Sequence, residues 1–100
     1  MREITENVKE EIKEMIIEYI SEECEVDREE ITDDANPQDD LGSDSLMFVE
    51  LVELLMKKYG VEVKLQSIGK YLLKKEITNM AEVYDMMYKI YQYGNDIVNL

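Results

Sequence analysis

Residues 45–60 read SLMFVELVELLMKKYG, and this stretch decides the fold. Its apolar residues recur at three- and four-residue steps, which is the spacing of one broad face of an α-helix. They are Leu46, Val49, Leu51, Val52, Leu54, Leu55 and Tyr59. Gly60 is a natural helix stop, and Lys57 and Lys58 fall in the last turn, where the helix dipole favours cations. We therefore predict an amphipathic helix over residues 45–59.

The same periodicity predicts three further helices, over residues 3–23, 65–75 and 79–93. Gly69 weakens the third helix, which we expect to be short and irregular. Asn79, followed three residues later by Glu82, is close to a capping box at the start of the fourth. Residues 24–44 lose the periodicity and form a long loop, and residues 94–100 form a tail. The prediction is an all-α fold, a four-helix bundle in a single domain over residues 1–100, with a long loop between helices 1 and 2.

The charge of the chain is strongly negative and unevenly distributed. The formal net charge is −13; residues 1–45 hold 17 acidic and 4 basic residues, whereas residues 46–100 hold 7 of each. Such a surface repels nucleic acid and attracts basic protein surfaces. No run approaches the ~20 apolar residues of a membrane span, no signal peptide is recognisable, and the single Cys24 suits a reducing compartment. We expect a soluble, cytoplasmic protein that binds no nucleic acid and spans no membrane.

Ser45 stands where the loop gives way to the helix, a position at which serines serve as nucleophiles or as helix caps. The sequence has no histidine, so no Ser-His-Asp arrangement can activate it, and we predict that the chain is not an enzyme. Two interpretations follow from the residues alone. Either Ser45, Asp44 or Ser43 caps the helix, or Ser45 accepts a phosphoester that the helix N-terminus stabilises.

The acidic loop lacks the pattern of a dedicated metal site. Counted from Asp34, an EF-hand would need Asp or Asn at its fifth position and Gly at its sixth, where the chain has Gln38 and Asp39. A single cysteine cannot form a Cys-rich site, and no phosphate-binding glycine loop is present. We predict no metal ligands.

Residues 40–52, DLGSDSLMFVELV, closely resemble the acyl carrier protein signature, in which D-L-G-x-D-S-L leads into the second helix. The stretches EVDREEITDDA (25–35) and ITNMAEVYDMM (77–87) look like the family's segments before the signature and at the entry to its last helix. The resemblance implies that Ser45 receives 4′-phosphopantetheine from coenzyme A through a partner transferase. The thiol of this arm would carry an acyl group as a thioester for fatty acid, lipid or polyketide-like biosynthesis.

The resemblance also implies partners and assigns roles to individual residues. A monomer would serve a phosphopantetheinyl transferase and acyl-processing enzymes (a ketosynthase, acyltransferase or ligase) that carry basic docking surfaces. Residues implied in recognition are Asp40, Gly42, Asp44, Leu46, Met47, Glu50 and Glu53. Residues implied in a pocket for the acyl chain are Val49, Val52, Leu55, Val63 and Ile77.

Two departures from the family pattern suggest a specialised carrier. First, Met47 stands where carriers of fatty acid synthesis usually have an acid, and Met56, Lys57 and Lys58 stand where they usually have further acids late in the second helix. Second, extra residues between Val63 and Ile77 enlarge the third helix. Two alternatives stay open: an aminoacyl or peptidyl carrier that uses the same serine, and an acidic helical interaction subunit in which Ser45 only caps.

Overall fold

Four α-helices form the bundle in the computed structural model, which describes residues 2–100. They are α1 (Glu6–Glu23), α2 (Ser45–Tyr59), α3 (Leu65–Lys74) and α4 (Met80–Tyr93), and this part of the chain contains no β-strand. The all-α prediction is therefore confirmed. The predicted start of the first helix at residue 3 is wrong, because the Thr5 hydroxyl accepts a hydrogen bond from the Val8 amide at 3.2 Å and so caps a helix that begins at Glu6.

The long loop between α1 and α2 is anchored to the rest of the fold. It contains a single 3₁₀ turn, Arg28–Glu30, and it buries the side chains of Ile31, Ala35 and Leu41 in the core. Its backbone also meets the start of α4, where the Met80 amide donates to the Ala35 carbonyl at 3.0 Å. The loop thereby holds the beginning of α2 in a fixed place beside α4.

The core is built from one face of each helix. Ile12, Ile16 and Ile20 of α1 are buried at four-residue spacing, which is the stripe that an amphipathic helix presents to its neighbours. The other fully buried side chains include Val52 and Leu55 of α2, and Met80, Met86, Met87 and Ile90 of α4. Burial of these aliphatic and thioether side chains supplies the main stabilisation of the fold.

The last residues do not form the predicted tail. Residues Gly94–Asn99 form a 3₁₀ helix that packs against α3: the Lys64 amide donates to the Asn95 side-chain oxygen at 2.7 Å, and the Lys74 ammonium donates to the Val98 carbonyl at 2.8 Å. The side chain of Ile97, within this 3₁₀ helix, is fully buried. The buried Ile97 and these two hydrogen bonds thus attach the segment to α3 and to the core.

The start of α4 differs in detail from a capping box. Asn79 does accept a hydrogen bond from the Glu82 amide, at 2.9 Å. The Glu82 carboxylate, however, accepts from the Thr78 hydroxyl at 2.7 Å and from the Thr78 amide at 3.3 Å, one residue before the expected donor. The helix end is satisfied by a variant of the predicted motif.

Candidate functional site

Asp44 caps α2 and leaves Ser45 free. The Asp44 carboxylate accepts a hydrogen bond from the Met47 amide at 2.9 Å, and its backbone is extended, as a capping residue requires. The Ser43 hydroxyl donates instead to the Pro37 carbonyl at 2.8 Å. Ser45 is the first helical residue; it is exposed, and among residues 2–100 nothing hydrogen-bonds its hydroxyl. Of the three candidate caps, then, only Ser45 has a side chain with no structural task.

The residues before Ser45 shape the loop rather than extend from it. The Asp40 carboxylate accepts from the Asn36 amide at 2.8 Å, and Leu41 is buried. Gly42 has φ +78°, a left-handed conformation that favours glycine. Asp40 and Gly42, which the sequence assigns to recognition, therefore have structural reasons for their identity as well.

An apolar cavity of about 270 Å³ opens beside Ser45. Its walls come from α1, α2, α3, α4 and the loop, and its apolar lining includes Ile20, Met47, Phe48, Leu51, Leu72 and Ile77. The polar residues Gln38, Ser43 and Asp44 also line the cavity, so the part of its wall near Ser45 is polar. A chain attached to the Ser45 hydroxyl would thus start next to a hydrophobic interior.

The cavity only partly matches the predicted acyl pocket. Ile77 lines it, but the other four predicted residues do not. Val52, Leu55 and Val63 are buried in the closed core, and Val49 is partly exposed elsewhere on α2. Leu51, which points into the cavity, lies one helical turn before Leu55, so the opening reaches only the first half of α2.

Three of the cavity residues were not predicted because no sequence signal distinguishes them from core residues. Leu51 and Phe48 belong to the apolar stripe of α2, and Leu72 belongs to that of α3. Their periodicity shows that they face inward, but it does not show that α3 stops short of α2 and leaves a space.

Met47, which the resemblance implies in partner recognition, is partly buried. It lines the cavity, and the Cys24 thiol lies 3.7 Å from its sulfur. Burial raises the pKa of Cys24, and the nearby carboxylates of Asp44 and Glu23 raise it further. The thiol is therefore held in its protonated, unreactive form.

The remaining recognition candidates share one exposed face of α2. Leu46, Glu50 and Glu53 are spaced by four and three residues, and Leu46 is 64% exposed. The Tyr19 hydroxyl donates to the Glu50 carboxylate and fixes it on this face. The structure thus places these three residues on one face of α2, of which only Leu46 adjoins Ser45, whereas Met47 lines the cavity.

A second concave surface lies on the other side of the bundle. This groove, of about 750 Å³, is lined by five glutamates of α1 together with Met15, Tyr19 and Leu54. Ser45 does not line it.

Among residues 2–100, no group of three or more His, Cys, Asp or Glu side chains has the arrangement of a metal site. None of the described helices has the length and apolar content to cross a bilayer.

Comparison with known proteins gives a consistent family. Residues 14–71 match the family model described as a phosphopantetheine attachment site. The chain is 48% identical, over 100 residues, to an acyl carrier protein homolog of Clostridium acetobutylicum, covering 100% of this chain and 97% of that protein. It is 45% identical over 67 residues to the acyl carrier protein of Lactobacillus johnsonii, covering 61% of this chain and 84% of the relative. An acyl carrier protein of Guillardia theta is 33% identical over 79 residues, which is 79% of this chain and 90% of that one.

Proposed function

The chain belongs to the acyl carrier protein family, and we propose that Ser45 is the residue to which its 4′-phosphopantetheine is attached. Proteins of this family are carriers and not catalysts, and the prosthetic group supplies the thiol on which the acyl group is held as a thioester. One observation carries the choice of residue: Asp44 caps α2, so the exposed Ser45 hydroxyl is free to be modified.

The surroundings of Ser45 suit this group. The first amides of α2 and the positive end of its dipole favour a phosphate attached there. The adjacent cavity of about 270 Å³ offers apolar contacts from Phe48, Leu51, Leu72 and Ile77. We propose that these side chains, with Met47, shield the first part of a bound acyl chain from water, in place of the pocket centred on Val52 and Leu55.

The exposed face of α2 is the proposed contact for the transferase and for acyl-processing enzymes. Leu46, Glu50 and Glu53 would meet an apolar and basic partner surface, because that surface complements both kinds of side chain. Asp40 and Gly42 act in this proposal by holding the loop in shape. Asp44 contributes both the cap and a carboxylate next to the modified hydroxyl.

We further propose a cytoplasmic carrier that serves a dedicated pathway. The single free cysteine supports a reducing location. The acidic face of α2 ends at Lys57 and Lys58, which supports partners other than those that bind a uniformly acidic helix. Equal turnover by a housekeeping ketosynthase of this chain and of a uniformly acidic carrier would argue against the dedicated pathway.

Mass spectrometry of the intact protein tests the attachment site. The chain is incubated with coenzyme A and a promiscuous phosphopantetheinyl transferase, and we expect the mass to rise by one 4′-phosphopantetheine. Ser45→Ala should abolish the gain. Ser43→Ala is the matched control, since it removes a neighbouring hydroxyl that already has a structural partner, and it should retain the gain. Modification of Ser45→Ala would refute the assignment.

A further inference from the structure

The stretch around α3 carries the opposite charge to the rest of the molecule. Residues 64–75, KLQSIGKYLLKK, contain four lysines and no acidic residue. Since the whole chain carries −13, the other 88 residues carry −17. This basic stretch is therefore a local exception on a strongly acidic protein.

Most of this positive charge is available to a partner. Lys64, Lys70 and Lys74 are exposed, and none of them forms an ion pair with the described residues, whereas Lys75 pairs with Asp85 at 3.4 Å. The Lys74 ammonium bonds only to the neutral Val98 carbonyl. Within the described fold, no carboxylate neutralises these three lysines.

Leucine side chains are exposed on α3 and at the end of the 3₁₀ segment that packs on it. Leu73 of α3 is 89% exposed, Leu65 at its start is 54% exposed, and Leu100, beyond the 3₁₀ segment that packs on α3, is 48% exposed. Only two other large apolar side chains of residues 2–100, Leu46 and Leu54, are comparably exposed. An exposed leucine flanked by lysines is complementary to a protein pocket that has an apolar centre and an acidic rim.

Gly69 gives an independent indication of close approach. It lies inside α3, one turn before Leu73 on the same exposed face, and a Cβ built there would meet nothing within 4 Å. Glycine weakens a helix interior relative to alanine, and the contacts within this fold do not require it. A missing side chain beside Leu73 would let the backbone of another protein come close to the helix.

The opposite side of α3 belongs to the Ser45 site. Leu72 and Lys75 line the cavity that opens beside Ser45. The outer face of α3 is therefore separated from the Ser45 cavity by the width of this helix, about 10 Å.

We propose that the outer face of α3, formed by Gln66, Gly69, Lys70, Leu73 and Lys74, docks an acyl-processing partner enzyme whose surface carries carboxylates around an apolar recess for Leu73. The inference rests on the proposed function, because it names the chemistry of a partner that meets the loaded carrier. An anionic membrane is the less suitable occupant, since the other 88 residues carry −17 and a lipid surface makes no use of the gap at Gly69. The partner contact on α3 thus has the reverse polarity of the contact on α2.

Site-specific crosslinking identifies the occupant. Leu73 is replaced by the photoreactive residue p-benzoylphenylalanine in the holo protein, and a second sample carries the same residue at Glu10 on the acidic side of α1. Both are irradiated in extract of the natural source, and the adducts are mapped by peptide mass spectrometry. We expect an acyl-processing enzyme at position 73 and not at position 10, joined through a peptide that contains Asp or Glu. No adduct at position 73, adducts between copies of this chain, or adducts with lipid alone would overturn the proposal.

The enzyme that crosslinking identifies is then purified without the crosslink, and its affinity for variants of the carrier tests the charge and shape of the contact. We expect Lys70→Glu, at a lysine with no hydrogen bond or ion pair within the described fold, to raise Kd by about threefold or more. Lys70→Glu/Lys74→Glu, which also removes the Lys74 hydrogen bond to Val98, should raise it by roughly tenfold or more, as loss and reversal of complementary charge should. Lys9→Glu/Lys13→Glu, the matched control with the same change of charge at the same four-residue spacing on α1, should raise it by less than about threefold on the same basis. Gly69→Ala should raise Kd while it raises Tm. Equal losses for the two lysine pairs, or unchanged binding of Gly69→Ala, would overturn the proposal.

The proposed function is checked separately in the same samples. Every variant should reach complete phosphopantetheine loading, measured by intact mass, after prolonged incubation with the transferase. For the docking face, replacement of the enzyme's crosslinked carboxylates by lysines should restore its binding to Lys70→Glu/Lys74→Glu. Loading without an effect on Kd would refute the docking face alone, whereas failure of loading in the unmodified sequence would refute the proposed function.

Discussion

The division of labour between Asp44 and Ser45 makes a quantitative prediction: removal of the Ser45 hydroxyl leaves stability unchanged, whereas removal of the Asp44 carboxylate lowers it. The Asp44 carboxylate accepts from the Met47 amide at 2.9 Å. Replacement of a capping residue by alanine costs typically about 1 kcal/mol. Loss of a negative charge at the helix N-terminus costs about 0.3–1 kcal/mol more, and relief of repulsion on a chain of net charge −13 offsets part of it. We expect Asp44→Ala to lower the free energy of unfolding by about 1 kcal/mol.

Two further variants separate the hydrogen bond from the charge. Asp44→Asn retains a good cap and loses only the charge, so it should cost less than Asp44→Ala. Ser45→Ala removes a hydroxyl that nothing among residues 2–100 hydrogen-bonds. Alanine is a better helix former than serine by up to about 0.5 kcal/mol, so this variant should be as stable as the parent or slightly more so.

Urea unfolding of the apo protein, followed by far-UV circular dichroism, measures these differences. In a domain of this size, 1 kcal/mol corresponds to about 4–8 °C in Tm, which a thermal scan resolves as well. The double variant Asp44→Ala/Ser45→Ala should equal the sum of the single changes within about 0.5 kcal/mol, because only one of the two residues caps. If Ser45→Ala cost as much as Asp44→Ala, Ser45 would be a cap and the reasoning would be refuted.

Three more predictions concern buried groups and backbone geometry. Tyr84→Phe should raise the free energy of unfolding by about 1 kcal/mol, because the buried Tyr84 hydroxyl has no hydrogen-bond partner within the described chain; a loss in urea unfolding would contradict this. Burial raises the pKa of Tyr59 and of Tyr84 from 10.0 to about 12. The unfolded chain therefore loses these protons first, and stability should fall as pH rises from about 10 to about 12, with a shallower fall in Tyr84→Phe than in the parent; parallel pH profiles would exclude this role. Gly94→Ala should cost about 1–3 kcal/mol, because φ is +55° and the new Cβ would lie 3.0 Å from the Glu62 carbonyl oxygen; a Tm within error of the parent would count against the strain.

The features that the sequence predicts correctly are those with a local physical cause. Apolar spacing defines α2, and Gly60, with φ +67°, ends it as expected. The features that sequence reasoning missed depend on contacts between distant segments. The cavity is lined by side chains from separate elements, including Phe48 of α2 and Leu72 of α3, and the 3₁₀ segment that packs on α3 buries Ile97 in the core. Periodicity predicts which side chains face inward, but it does not predict which of them line an opening.

Met47 illustrates the same limit at a single residue. Its place after the signature suggests an exposed contact for partners, yet the start of α2 is rotated so that Met47 faces the cavity and Cys24. The exposed direction belongs to Leu46, Glu50 and Glu53 instead. The Asp44 cap and the buried Leu41 hold the chain where it enters α2.

The acidic face of α2 and the basic outer face of α3 give the carrier a means of choosing its partners. On one side, α2 presents Glu50 and Glu53, and on the other, α3 presents Lys70 and Lys74. A partner surface that is uniformly basic would suit the first and be repelled by the second, and like charges in contact cost affinity. Only a partner with both signs of charge in the right order would meet Ser45 without such a conflict, so the lysines of α3 act against the wrong enzymes as much as they favour the right one. Lys70→Glu/Lys74→Glu should then weaken binding of the carrier to its dedicated enzyme and strengthen its binding to an enzyme with a uniformly basic surface. If binding to both fell together, α3 would contribute attraction without discrimination.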